Sequence, residues 1–561
     1  MIYLGLRDGR AFSFDPDSKD VSELPSAPNM GEDTFWDAAP LADGRILFTT
    51  YPSARLLAYN PSSKRWTDLG SLGGGNKYAL GLSTYGKKAY VGSGTKDPAL
   101  WQVDTTTGST KKIALPAEEG NGDRDFVSDT AVVEGTVFAR VASENKIYVF
   151  DLKSNQWTGS IGGAIDGLAT SRPGEPQALF WAGEDGYLHS SAVDTLDKRT
   201  LGQGGTFSAL RGSAWQDIDG NGSPESLVTI NASGEVLRWN SQSDERQLIS
   251  GEREPAPVRV RSLGVDPDGN VLVGGMGTAP YFASIPRDGG EILQHPLRGQ
   301  VESFGTVDND IIVGTYPKAG VHIVDVTNTG GNGTEPQWRL GNGQDRPIDI
   351  EGLDDGRFAV ASMPVYGQRG GALSLFQLDS GLEKTIADIS PERSPLTLTH
   401  RAHNIFVGTG ATGGYGTDRD TGDGTVIKVD GATGQTMNST VPVKGDANVS
   451  ALIFDGRERL WGWGVDSVFE MDPDTLQVKR AKRYSAASDN QAYARGRNLV
   501  DLGEKLAGSA QGKIFTINKQ TLQRENIADG TNLVLGGDGN LYYSRGATVY
   551  RWSFGPGKGK R

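Results

Sequence analysis

A unit of about 45 residues recurs along this chain, and that period constrains the fold more than any other feature. Residues 36–70 show its grammar: W-D-A-A-P-L, a D-G turn, R-I-L-F-T-T, a Y-P-S-A-R loop, L-L-A-Y-N, a P-S-S-K turn and R-W-T-D-L-G. Short apolar runs bounded by Gly, Pro, Asn and Asp read as four successive strands, a to d. The same order returns near 77–115, 126–160 and 164–203, and continues to 493–527. Many c strands end in turns such as V-D-T-T-T-G (103–108) and V-D-G-A-T-G (429–434), where Asp caps the turn and Gly supplies the positive φ.

Four strands at this period make one blade of a β-propeller. The fold expected is all-β: two tandem β-propellers with about 12–13 repeats of ~45 residues, roughly 6–7 blades each. A single ring holds about 4–8 blades, so one ring is too few. The segments F-T-T-Y-P-S-A-R-L-L-A-Y-N (48–60) and I-V-G-T-Y-P-K-A-G-V-H-I-V-D-V (312–326) resemble each other at an offset of about 265 residues, which suggests a duplication. That places the N-terminal propeller at 1–298 and the C-terminal one at 299–555. Strands are expected to be shared between 1–25 and 530–555, ahead of a disordered basic tail at 556–561.

Composition narrows the function classes. The chain has 561 residues, 78 of them Gly, no Cys and a net charge of −13. The glycine excess fits many tight turns. Absence of Cys rules out disulfides and thiolate chemistry. The acidic balance gives no support for nucleic acid as a partner, and no apolar run reaches membrane-spanning length. Met1 leads directly into I-Y-L-G-L without a leader-like segment. The expectation is a secreted, extracellular bacterial protein whose leader was removed, acting as a monomer without an organic cofactor.

Candidate site residues gather in the second half. In a blade, the b–c loop and the d–a connection open on one face, and the a–b and c–d turns open on the other. Tyr316, Tyr366, Arg369, Tyr415 and Arg419 fall in b–c loops; Asp345, Arg346, Arg495 and Arg497 fall in d–a connections; Trp463 and Asp466 close another b–c loop. Arginine forks suit carboxylates and flat aromatic faces suit sugar rings, so an acidic oligo- or polysaccharide is the expected partner. His400 and His403 flank an a–b turn and face away, and no His-carboxylate metal spacing occurs. The segment D-I-D-G-N-G-S-P-E places Asp217, Asp219, Asn221 and Glu225 at alternating positions, which suits a structural calcium ion.

This nine-residue segment resembles the calcium loops of FG-GAP propeller repeats and dockerins. The whole repeat grammar resembles secreted bacterial tandem β-propeller proteins of the polysaccharide-degrading, propeller lyase type. That resemblance implies β-elimination on a uronate-containing glycan, with Tyr316, Tyr366 or Tyr415 as base or acid and Arg346 and Arg369 neutralising the carboxylate. Two other readings stand beside it. One is a non-catalytic carbohydrate-binding or protein-interaction scaffold; the other is a glycoside hydrolase using an Asp pair from Asp345, Asp418 and Asp466.

Overall fold

The computed structural model describes the chain apart from residues 1, 6–9, 16–17, 19, 29–33, 95–97, 118–125, 172–176, 204–209, 219, 232–235, 250–257, 278–280, 325–334, 355, 412, 416, 418–421, 486–497 and 555–561. Among the described residues there are eleven four-stranded and two three-stranded sheets. Each is an antiparallel meander in which every strand pairs with the next in sequence. This is what the alternating apolar pattern and its turn residues dictate. Strand Asp310–Tyr316, for instance, is buried at its five central positions, whereas the outermost strand Val478–Arg483 is mostly exposed. No helix among the described residues is long and apolar enough to cross a membrane.

The chain divides into two compact units, Met1–Glu254 and Pro255–Arg561. The division lies one repeat before the expected boundary at 298/299. The reason is packing. Strand Val260–Val265 opens a sheet whose Val260, Leu263 and Val271 form one core cluster with Tyr542 of the last sheet. The expected strand sharing between chain ends is also absent from the described pairing. Strands Ile2–Gly5, Ala11–Phe14 and Val21–Glu23 form their own sheet, and so do Thr531–Leu535, Leu541–Arg545 and Thr548–Trp552.

In the second unit, seven sheets follow one another and every junction carries a hydrogen bond. Ser262 Oγ donates to Val301 O, Ser303 Oγ to Pro347 O, and the Leu398 N–H to Asp349 Oδ2. The Leu452 N–H donates to Thr397 Oγ1, Gly456 N–H to Asp501 Oδ2, and Gly530 N–H to Gly512 O. The series returns to its start: Gly537 N–H donates to Gly269 O, and Val260 N–H to Gly546 O, both at 2.9 Å. A Cβ at Gly537 would stand 2.6 Å from Gly269 Cα, so this last approach requires glycine. Residues from the first strands of all seven sheets line one cavity of about 350 Å³.

Between sheets, the core is aromatic and aliphatic. Phe358 and Phe376 stack at 4.8 Å and pack with Ile312 and Val360, all fully buried. Each such side chain contributes about 1.5–3 kcal/mol by leaving water. In the first unit, Asp37, Leu82, Thr130, Leu168 and Ser213 line a second cavity of about 430 Å³.

Candidate functional site

The strongest concentration of chemistry in the second unit surrounds Arg346. Its side chain is 6% exposed, and its guanidinium carbon lies 3.6 Å from the Tyr316 ring centre, 4.7 Å from Tyr415 and 5.6 Å from Tyr366. Tyr316 ends strand Asp310–Tyr316, and Tyr366 and Tyr415 come from the loops after strands Arg357–Pro364 and Asn404–Gly410. Tyr366 and Tyr415 also pack on each other at 5.7 Å. Arg346 itself lies near the start of strand Gln344–Gly352, where a register shift between Gln344 and Arg346 accompanies its entry into the cluster. Four of the five residues expected to act together are therefore in one place.

Their partners define what they can do. Arg346 Nη1 donates to Glu302 Oε1 at 2.5 Å, and Nη2 donates to the Tyr366 hydroxyl at 3.0 Å. Glu302 is fully buried and also accepts from Arg261 Nε at 2.9 Å and Gln300 Nε2 at 2.7 Å. Arg261 Nη2 reaches the Tyr415 hydroxyl at 3.1 Å. The result is a buried Arg–Glu–Arg network roofed by tyrosines. Burial opposes the charge on Arg346, yet Tyr366, Tyr316, Tyr415 and Asp345 outweigh it and hold the guanidinium pKa above its ordinary value. Burial likewise raises the Tyr366 phenol, despite the counteracting pull of Arg346.

Other expected residues have different surroundings. Asp345 is buried; its Oδ1 accepts the Lys318 N–H at 2.8 Å and so fixes the Tyr316 loop, while its Oδ2 stands 3.9 Å from Arg346. Arg369 is partly exposed, 3.9 Å from the Glu392 carboxylate. Trp463, expected to offer a flat face at the mouth, is 1% exposed because it points inward between Phe515, at 4.6 Å, and Tyr484, at 5.8 Å. Asp466 is buried in an ion pair with Arg524 at 2.5 Å. Arg419, Arg495 and Arg497 lie outside the described residues, as does Asp418.

In the proposed calcium loop, Asp219 also lies outside the described residues. Asp217 accepts the N–H groups of Asn221 and Gly222 at 3.1 and 2.8 Å, and Asn221 Oδ1 accepts the Ser223 N–H at 2.8 Å. Glu225 lies 3.4 Å from Asn221 Nδ2. These bonds close the turn through its own backbone. Among the described residues, no group of three or more His, Cys, Asp or Glu side chains is arranged to hold a metal ion.

Sequence reasoning missed Glu302, Arg261 and Gln300. The available signal was phase: Glu302 sits in V-E-S-F and Arg261 in V-R-S-L, where an alternating strand sends a charged residue inward. A buried charge demands a partner.

No known protein family matches the chain, and no curated protein matches it. Solved structures similar to it include the extracellular domain of the one-component system BT4673 from B. thetaiotaomicron, at 10% identity and a TM-score of 0.39 over 98% of this chain and 80% of that one. Another is PorZ, described as an essential bacterial surface component of the type-IX secretion system of Porphyromonas gingivalis, at 12% identity and a TM-score of 0.39 over 98% of this chain and 84% of that one. The tricorn protease is similar at 13% identity and a TM-score of 0.33, over 98% of this chain and 61% of that one. At these identities and TM-scores the likenesses carry no argument about this chain.

Proposed function

We propose that the chain is a tandem β-propeller, with six blades in the first unit and seven in the second, that serves as a binding scaffold for a carbohydrate-type ligand. The ligand contacts the face of the second unit that carries the loops of Tyr316, Tyr366 and Tyr415. Half-buried tyrosine edges beside Lys318, Gln368 and Arg369 supply the flat surfaces and donors that sugar rings use. The observation that carries a scaffold over a catalyst is the engagement of Arg346. Its donors already serve Glu302 and Tyr366, so it is a poor clamp for an incoming carboxylate.

The polysaccharide lyase reading keeps one favourable observation, the convergence of three tyrosines on one arginine. A general base works best with a pKa near the working pH, and the Tyr366 phenol is shifted the other way. The hydrolase reading has less support, because Asp345 and Asp466 serve a loop N–H and an arginine respectively. The discriminating experiment incubates the full chain with a panel of neutral and uronate-containing polysaccharides. Gel retardation, the ultraviolet band of unsaturated uronate and new reducing ends are followed together. The expected result is retardation by at least one polysaccharide with no chemical change. A rise in the uronate band that disappears in Tyr366→Phe would replace the scaffold reading with the lyase.

A further inference from the structure

The same loop face of the second unit carries a second concavity that none of the expected site residues entered. It measures about 500 Å³ and lies where the sixth and seventh sheets meet the first. Its walls include the turns at Gly512, Gly530 and Gly546, and Arg259, Arg261, Arg545 and Asp529 line it.

The charges here differ from those of the Arg346 cluster. Arg259 and Arg545 are exposed, and among the described residues neither has an ion-pair partner. The acid that could neutralise them, Asp529, is bound to Lys513 Nζ at 2.5 Å. Lys513 first, and Arg545 by its field, hold the Asp529 carboxyl below its ordinary pKa. Arg261, whose charge is met by Glu302, borders both this pocket and the central cavity. Two guanidinium groups without ion-pair partners among the described residues therefore border a pocket whose one lining carboxylate, Asp529, is already bound to Lys513, in a chain whose net charge is −13.

We propose that this pocket binds an oxyanion group, whether carboxylate, sulfate or phosphate, through the guanidinium groups of Arg259 and Arg545. A fork of N–H donors matches two oxygens of such a group, and a local positive patch on an acidic surface concentrates anions where the fork is. The pocket stands on its own geometry and shares a face and Arg261 with the carbohydrate reading. Its test therefore uses free anions, not the polysaccharide panel.

Calorimetric titration of the full chain at fixed ionic strength, with sodium chloride as background, uses three probes: inorganic phosphate, inorganic sulfate and D-glucuronate. Saturable binding of at least one is expected. Arg259→Ala/Arg545→Ala should weaken it about ten-fold or more, and Arg287→Ala, at an exposed arginine outside the pocket, should leave it unchanged. Both altered arginines are exposed, so the double variant should keep the wild-type circular dichroism and urea midpoint. Glucuronate as the preferred probe identifies a sugar acid; phosphate or sulfate identifies an inorganic ion or an ester. No saturable binding of any probe overturns the proposal, as does binding that survives the double substitution.

Discussion

Two four-stranded sheets of this chain, one in each unit, share a local geometry and fill it with opposite chemistry. In the first, strand Thr34–Pro40 shifts register between Phe35 and Asp37; in the second, strand Gln300–Val307 shifts between Val301 and Ser303. The Ala54 N–H donates to Lys77 O and the Leu72 N–H to Ala54 O. Ala319 N–H donates to Asp345 O and Leu340 N–H to Ala319 O in the same way. This correspondence equates Trp36 with Glu302, Tyr51 with Tyr316 and Tyr78 with Arg346. In the first unit the place is aromatic: Tyr78 packs on Tyr51 at 4.5 Å, on Trp36 at 5.8 Å and on Phe126 at 5.4 Å. In the second unit, Arg346 lies on Tyr316 at 3.6 Å and is tied to Glu302.

Each sheet packs a broad, flat group against its tyrosine, and either a phenol or a guanidinium meets that need. The guanidinium brings a charge into the interior, which recruits Glu302, and Glu302 in turn holds Arg261. A place that the first unit fills with packed rings thus becomes an interdependent ion-pair network in the second. Such networks stabilise only while complete.

The largest effect should follow from removing the shared carboxylate. Glu302→Ala leaves two arginines without their counterion and should lower unfolding stability by about 3–5 kcal/mol in urea titrations. Transplanting the first unit's residues, as Glu302→Trp/Arg346→Tyr, should recover a substantial part of that loss. A transplant no better than Glu302→Ala would break the correspondence between the two sheets.

A smaller effect concerns a device the two units hold in common. Asp37 accepts its neighbour's Ala38 N–H at 2.8 Å and, across the sheet junction, the Leu82 N–H at 2.9 Å. Asp349 does the same with Ile350 at 3.0 Å and Leu398 at 2.7 Å. Burial pushes both carboxyls up to about 7, with the N–H bonds pulling the other way. A carboxyl raised above its unfolded value contributes stability that is full in acid and fades as pH rises through about 7. Asp37→Asn and Asp349→Asn should each lower stability by about 1–3 kcal/mol in acid, because an amide NH₂ then faces a backbone N–H. Each should also flatten the decline in urea midpoint between about pH 4 and pH 7. Unequal flattening would show that the junctions are not equivalent.

The sheets were legible in the sequence because strand alternation and turn chemistry are local. Asp104 and Asp430 cap their turns within three residues, as the D-x-x-T motifs require. The convergence of the three tyrosines was legible for a related reason, since strand order within a meander assigns a loop to one end of its sheet. What was hidden depends on distant partners. Glu302 meets Arg346 from 44 residues away, and Arg261 meets Tyr415 from 154. The boundary between units is likewise decided by Tyr542 packing on Val260 and Leu263, a contact no local pattern announces. Trp463 was misplaced because W-G-W reads alike whether its second ring faces a loop mouth or a neighbouring sheet.

The most direct test of the central claim is the stability of Arg346→Ala, measured by urea unfolding alongside its retention by whichever polysaccharide the wild type binds. A buried supporting arginine predicts a loss of about 3 kcal/mol or more, since Glu302 and the tyrosine roof lose their common partner. Unchanged stability with abolished binding would contradict the account and make Arg346 a ligand clamp.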